Sequence, residues 1–357
     1  MILSQPDMGA TAPRYRIPGS TPANRARFVA ALVLPGVFVF APRAAQANPF
    51  VDLTWLSGFG KNGTSFEAAT AVAIDPIRGE IAIANSGRGR IEILSADGKA
   101  SAFFEHRVWR PDGSYILGQP RGLRYDAAGH LLVTDNLDSG VDVLDFRGRV
   151  IGRLRIPVDG KTGAAVDTMA GALLPLKDGS VLVGTRGEPA RIHHFSATGR
   201  WLGAWGVAGT GHGELSRVTA LAQMPSGDIL VACGGTDLVI QRFDANGLFV
   251  AGFGTHELGP GNFSYPSGIV VTADGRIWVS DELRQCVSVF DAQGEFLGMA
   301  GEGGTSKGSF LFPSDVTTDG KGRLAVVERV GGRVQVFRIL DASPRLRAPG
   351  GEVRKGT

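Results

Sequence analysis

Apolar and polar residues alternate with a period of two in short runs along most of the chain, and each pair of runs is separated by a glycine. The segments AVAIDPIRGEIAIAN, GLRYDAAGHLLVTD, ALLPLKDGSVLVGT, ALAQMPSGDILVAC, GIVVTADGRIWVSD and DVTTDGKGRLAVVE align on Gly79, Gly129, Gly179, Gly227, Gly275 and Gly322. The intervals between these glycines are 50, 50, 48, 48 and 47 residues. Period-two alternation predicts strands with one buried face. A glycine between two such runs predicts a hairpin, because it accepts the positive φ that tight turns require. A second alternating run follows in every unit: RIEIL, VDVLDF, RIHHF, VIQRF, VSVF and RVQVF. In five of the six units it ends at another glycine, Gly98, Gly148, Gly199, Gly247 or Gly294. A fourth run then appears, as in Trp201–Trp205 and Leu248–Phe253.

Four antiparallel strands per unit of this length predict the blades of a β-propeller. One twisted sheet cannot bury both its faces, and packing blade on blade around an axis does so. The fold class is therefore read as all-β, a six-bladed β-propeller closed by an N-terminal strand completing the last blade. That closing strand is Asp52–Phe59, because the sixth unit lacks its own fourth run and passes after Leu340 into an irregular tail. Pairing of Asp52–Phe59 with Arg333–Leu340 would leave no ragged edge.

The connections between units also repeat. GFGKNGTSF, GVAGTGHGEL, GFGTHELGPGNF and GMAGEGGTSKGSF are glycine-rich, and strand entrances carry Pro120-Arg121-Gly122, Pro266-Ser267-Gly268 and the variant Pro313-Ser314-Asp315. Together with the glycine turn and the V-x-D/E ending of the second strand, this pattern resembles the NHL repeat over roughly residues 51–340. The resemblance is strong in units 2, 5 and 6 and weaker in units 3 and 4, which lack the proline. No Trp-Asp dipeptide occurs at any of the five tryptophans, which argues against a WD40 propeller.

Residues 1–47 read as a signal peptide, residues 48–340 as the propeller and residues 341–357 as a flexible C-terminal tail. Arg25 and Arg27 precede the apolar run Phe28–Ala41, and Ala45-Gln46-Ala47 is a small-x-small cleavage pattern. The run is too short to span a bilayer and contains Pro35. A periplasmic or secreted protein is expected, with no membrane span after signal cleavage. The formal charge of +3 belongs to this leader: removing its five arginines and Asp7 leaves 32 bases against 33 acids. Such a body has no footprint for nucleic acid. Cys233 and Cys286 occupy different slots of neighbouring units, so they are expected to be unbonded.

Two rings of side chains should line one mouth of the central channel. The position after the strand-entrance proline reads Thr70, Arg121, Gly171, Thr219, Ser267 and Ser314. The end of the second strand reads Asn85, Asp135, Thr185, Cys233, Asp281 and Glu328. The second ring has two readings. Its acids can accept hydrogen bonds from their own turns and pair with the arginine five residues on, as in Asn85 with Arg90 and Glu328 with Arg333. Alternatively, Asp281 and Glu328, with Asp135 further round, form an acidic binding patch. One insertion breaks the repeat: residues 101–119 hold Phe103, Phe104, His106, Arg107, Trp109, Arg110 and Tyr115, a composition favoured at binding hot spots. Arg107, Trp109 and Arg121 are the leading binding candidates.

Enzymes also use such folds. Gluconolactonase-like and paraoxonase-like propellers resemble this architecture, and the resemblance implies a divalent cation held by carboxylates and Asn at the strand entrances. Here that ring has no acid and carries Arg121, whose charge opposes a hard cation. Peptide-amidating lyases also resemble NHL propellers, which implies zinc held by histidines. His130 falls in a hairpin, His193 and His194 point to opposite faces of one strand, and His106, His212 and His256 lie in connections of different units, where solvent-exposed or turn positions are expected. No Gly-x-Ser-x-Gly elbow is present. No catalytic residue, metal ligand or cofactor is assigned. The sequence thus points to a monomeric, non-catalytic binding scaffold for a protein, peptide or glycan at one channel mouth. The alternative is a metal-dependent lactonase- or lyase-type enzyme.

Overall fold

The computed structural model describes residues 49–55, 58, 63–110, 112–157 and 169–340. The leader, the tail and part of the Asp52–Phe59 run lie outside the described residues. Six four-stranded antiparallel sheets make up the fold. Naming the strands A to D from the axis outward, blade 1 is Ala69–Ile74, Ile81–Asn85, Arg90–Leu94 and Ala100–Glu105. Blade 2 is Pro120–Tyr125, Leu131–Asp135, Asp138–Leu144 and Val150–Leu154. Blade 3 is Ala170–Pro175, Val181–Thr185, Ile192–Phe195 and Trp201–Trp205. Blade 4 is Val218–Gln223, Ile229–Cys233, Ile240–Phe243 and Phe249–Phe253. Blade 5 is Pro266–Val271, Ile277–Asp281, Cys286–Phe290 and Phe296–Ala300. Blade 6 takes its inner strands from Pro313–Thr318, Arg323–Glu328 and Val334–Ile339, and its D strand from Val51–Trp55, with Val51 opposite Ile339 and Leu53 opposite Phe337. Each A strand neighbours the next, and that of blade 6 neighbours that of blade 1.

The six aligned turn glycines adopt φ between 70° and 100°, a region closed to most side chains. The glycine of Pro-x-Gly has a different cause. A Cβ on Gly268 would stand 2.5 Å from Asp315 Oδ1 and 2.8 Å from the Val316 nitrogen of the next blade, and one on Gly122 would meet the Gly171 carbonyl oxygen at 2.8 Å. The motif therefore marks where adjacent A strands approach too closely for a side chain.

Hydrophobic burial is organised at the blade junctions. Among the described residues six apolar clusters form, one between each pair of neighbouring blades. Trp278 of blade 5, fully buried, packs against Val316, Leu324 and Val326 of blade 6 in one of them. A ring of this kind gives every sheet two covered faces, which a single blade could not achieve. Cys233 and Cys286 are both free and buried. Burial pushes the Cys233 thiol up to about 11.

Candidate functional site

All six residues of the first ring line one central cavity of about 50 Å³. Most of the hydroxyls in that ring face the protein. Thr70 Oγ1 donates to the Pro120 carbonyl at 2.9 Å, Ser267 Oγ to the Pro313 carbonyl at 2.7 Å and Ser314 Oγ to the Ala69 carbonyl at 2.8 Å, each joining its blade to the next. Thr219 Oγ1 donates within its own blade, to the Ala232 carbonyl at 3.2 Å. Arg121 breaks this pattern. Its guanidinium shares the cavity with Tyr265 and Glu282 of blade 5 and Arg329 of blade 6.

The electrostatics there are unbalanced toward positive charge. Glu282 is buried and its Oε2 lies 3.1 Å from an Arg329 Nη. Burial raises the Glu282 carboxyl above its ordinary value, against the pull of Arg329 and Arg121. Burial likewise lowers the Arg121 guanidinium; Tyr265, as a hydrogen-bond partner, opposes this and Arg329, as a like charge, adds to it. Deeper in the cavity Arg124 holds Asp315 with two bonds, 2.7 and 3.0 Å long, and Asp315 Oδ2 accepts the Val72 N–H at 3.1 Å. These residues do not suit the divalent cation that a lactonase-like propeller implies. Arg121 and Arg329 carry fixed positive charge, and among the described residues no three His, Cys, Asp or Glu side chains converge as ligands.

The second ring lies elsewhere than expected. Asp135, Asp281 and Glu328 are at most 1% exposed, so the acidic binding patch does not form. Asp281 accepts from the N–H groups of Ser264, Tyr265, Leu283 and Arg284 at 2.6 to 3.2 Å. Glu328 accepts from Leu311 N–H at 2.9 Å, Arg333 Nε at 2.6 Å and Gln335 Nε2 at 2.8 Å. Asn85 accepts the Glu67 N–H at 2.9 Å, while Arg90 pairs with Glu92 instead. These side chains tie each incoming connection to the B–C turn of its own blade. A buried acceptor with so many donors is structural, because each donor would otherwise be left unsatisfied.

Asp135 belongs to a further cluster that sequence reasoning missed. His106 is only 4% exposed, not a solvent or turn histidine as expected. Its Nδ1 lies 2.8 Å from Asp135 Oδ2 and its Nε2 3.2 Å from Asp142 Oδ2. Burial alone favours the neutral ring, but the two carboxylates outweigh it and hold the imidazole up to about 9. Arg153 completes the cluster through Asp142 at 2.9 Å and through Asp138. This buried set anchors the insertion, whose following residues form a hairpin of Arg107–Trp109 with Tyr115–Leu117. Arg107 and Trp109 lie on its outer face. Arg107 stacks 4.5 Å from the Tyr115 ring centroid, and Trp109 meets the same ring edge-on at 5.4 Å. Trp109 stays 59% exposed and lines a groove with Arg110, Asp142, Val150, Arg153 and Arg155. Arg121 lines a different cavity, so the three leading candidates form two separate surfaces.

Glu282 and Arg329 were legible in principle. They sit one position beyond the second ring, and the repeat defines that slot: Asn136, Arg186, Gly234, Glu282 and Arg329 each donate a backbone N–H, at 2.9 to 3.1 Å, to the carbonyl of the residue just before the A strand of their own blade.

Comparison with known proteins supports the architecture. Residues 263–290 match the NHL repeat. No curated protein matches the chain in sequence. Among solved structures, a gluconolactonase from Xanthomonas campestris aligns at 16% identity and a TM-score of 0.54, over 77% of this chain and 88% of that one. Virginiamycin B lyase from Staphylococcus aureus aligns at 14% and 0.52, over 78% and 81%. A streptogramin B lyase aligns at 13% and 0.57, over 83% and 100%. At these identities the likeness speaks for the fold alone. The chain is a six-bladed β-propeller that carries an NHL repeat.

Proposed function

We propose that this protein is an extracytoplasmic recognition propeller that holds its partner, a protein, peptide or glycan, at the mouth of the central channel. The observation that carries this reading is the meeting of Arg121, Tyr265, Glu282 and Arg329 from blades 2, 5 and 6 in one cavity. A basic, aromatic-flanked cavity on a rigid ring is suited to recognition, since charge and shape are set before the ligand arrives. Arg25, Arg27 and the Phe28–Ala41 run motivate the extracytoplasmic setting; N-terminal sequencing of the protein made in its own host should begin at Asn48. The binding reading is tested by capturing partners from the envelope fraction with the immobilised protein. Arg121→Ala and Arg329→Ala should lose the captured component and Trp109→Ala should keep it. Equal capture by all four forms would sink it.

A second reading, an enzyme of the lactonase or lyase type, is favoured by one observation of its own. Glu282 is a carboxyl raised by burial beside two guanidinium groups, a setting found at acid–base sites. Lactone opening by the purified protein that survives metal chelation but disappears in Glu282→Gln would favour this reading over the first.

A further inference from the structure

We propose that the cavity between Arg121 and Arg329 binds a carboxylate group, one per molecule; this deepens the recognition reading and rests on it. The argument begins with charge. Outside the paired Arg124 and Asp315, two guanidinium groups and one carboxylate share the cavity. The carboxylate, Glu282, is within ion-pair distance of Arg329. Among the described residues Arg121 has no carboxylate at that distance. The Nε of Arg329 is buried and has no hydrogen-bond partner. One positive charge and one buried donor are therefore left for an incoming anion, while Glu282 Oε2, buried without a hydrogen-bond partner 3.1 Å from an Arg329 Nη, takes up only part of the charge of Arg329. Leaving such groups uncompensated is costly in a low-dielectric site, so the arrangement is stable chiefly when an anion completes it.

Size and valence select the anion. A cavity of about 50 Å³ has room for a few water-sized groups, which is enough for a carboxylate. Guanidinium groups present planar forks of N–H donors that match the two oxygens of a planar carboxylate. Glu282 limits the charge that can enter. Its own negative charge beside Arg329 tolerates a monoanion and disfavours phosphate, which is partly dianionic at neutral pH. Tyr265 lines the same cavity and adds an aromatic ring to its wall.

The carboxylate can come from a free small acid or from the C-terminus of a peptide chain, and the experiment separates them. The full-length protein is titrated calorimetrically at constant ionic strength with sodium acetate, with sodium phosphate, and with trialanine carrying either a free or an amidated C-terminus. Saturable acetate binding that phosphate does not match is expected. Arg121→Gln and Arg329→Gln should each weaken it at least tenfold, while Arg149→Gln, on an exposed turn, should leave it unchanged. Free trialanine binding at least tenfold tighter than acetate, with the amide silent, identifies a peptide terminus; equal affinities identify a small acid. The proposal is overturned by absence of saturable carboxylate binding, by phosphate binding more tightly, or by indifference to both arginine substitutions in variants whose unfolding matches wild type. If capture of partners depends on Arg121 while acetate and trialanine do not bind, the carboxylate assignment falls and the recognition reading stands. If carboxylates bind but capture ignores Arg121, the recognition reading is the one that falls.

Discussion

Arg124 of blade 2 reaches past the innermost strand of blade 1 to hold Asp315 of blade 6 with both terminal nitrogens. Both side chains are largely buried, at 17% and 6% exposure. Removing one partner strands the other charge, at a cost of about 3–5 kcal/mol. Arg124→Met and Asp315→Leu should each lower unfolding free energy by that order, measured by denaturant titration. The double substitution should lose clearly less than the two combined, and strict additivity would show that the pair is not coupled.

His106 makes stability depend on pH. Its folded pKa is raised to about 9 from an ordinary 6.5. The native state therefore holds the proton more tightly than the unfolded chain. The stabilisation is fully present below 6.5 and disappears as pH rises through 9. A shift of that size corresponds to something on the order of 3 kcal/mol. Denaturant midpoints taken from pH 6 to pH 10 should fall across this window in the wild type, and His106→Gln should remove that part of the fall.

Asp281 is a stronger point of failure than any residue of the channel mouth. Its carboxylate serves four backbone N–H groups. Asp281→Ala should cost about 4 kcal/mol or more, since a buried charged acceptor contributes about 1.5–3 kcal/mol per hydrogen bond and four are lost together. Arg121→Ala should change stability by less than about 1 kcal/mol or raise it, because it removes a half-buried charge that Arg329, as a like charge, disfavours. Thermal unfolding of the two variants separates a structural residue from a binding one.

Gly268→Ala should destabilise by about 1–3 kcal/mol, because its new methyl group meets backbone and Asp315 in the next blade rather than solvent. Ser267→Ala, one residue earlier, removes a hydroxyl that donates to the Pro313 carbonyl and lies 2.9 Å from Ser280 Oγ, without a steric clash, and should cost about 1 kcal/mol. Equal losses would mean that the close approach of the A strands is not what demands glycine here.

The architecture was legible in the sequence because the features that build it are periodic. Turn glycines such as Gly129 and Gly275 recur at fixed intervals, and the alternation beside them is the same property that buries one face of each strand. The site was legible only in part. Arg121 stood out because its slot holds small residues elsewhere in the ring. Asp135, Asp281 and Glu328 were ambiguous, because an acid at a strand end can face either a turn or a channel, and local spacing does not distinguish them. Their backbone donors come from connections such as Ser264 and Leu311, whose path is set only by the folded ring. His106 was misplaced for a related reason: its partners Asp135 and Asp142 come from the neighbouring blade, 29 and 36 residues away.

The hydroxyl links that knit blade to blade run from blade 5 round to blade 2 and stop at Arg121, and this irregularity has a bearing on stoichiometry. A perfectly repeated mouth would offer a visitor six equivalent poses and hold it in none of them. With its charged and aromatic groups drawn from only three blades, this mouth has a single preferred azimuth. A guest bound as proposed would therefore sit singly, off the axis and in one orientation, as a key sits in a lock with a single keyway.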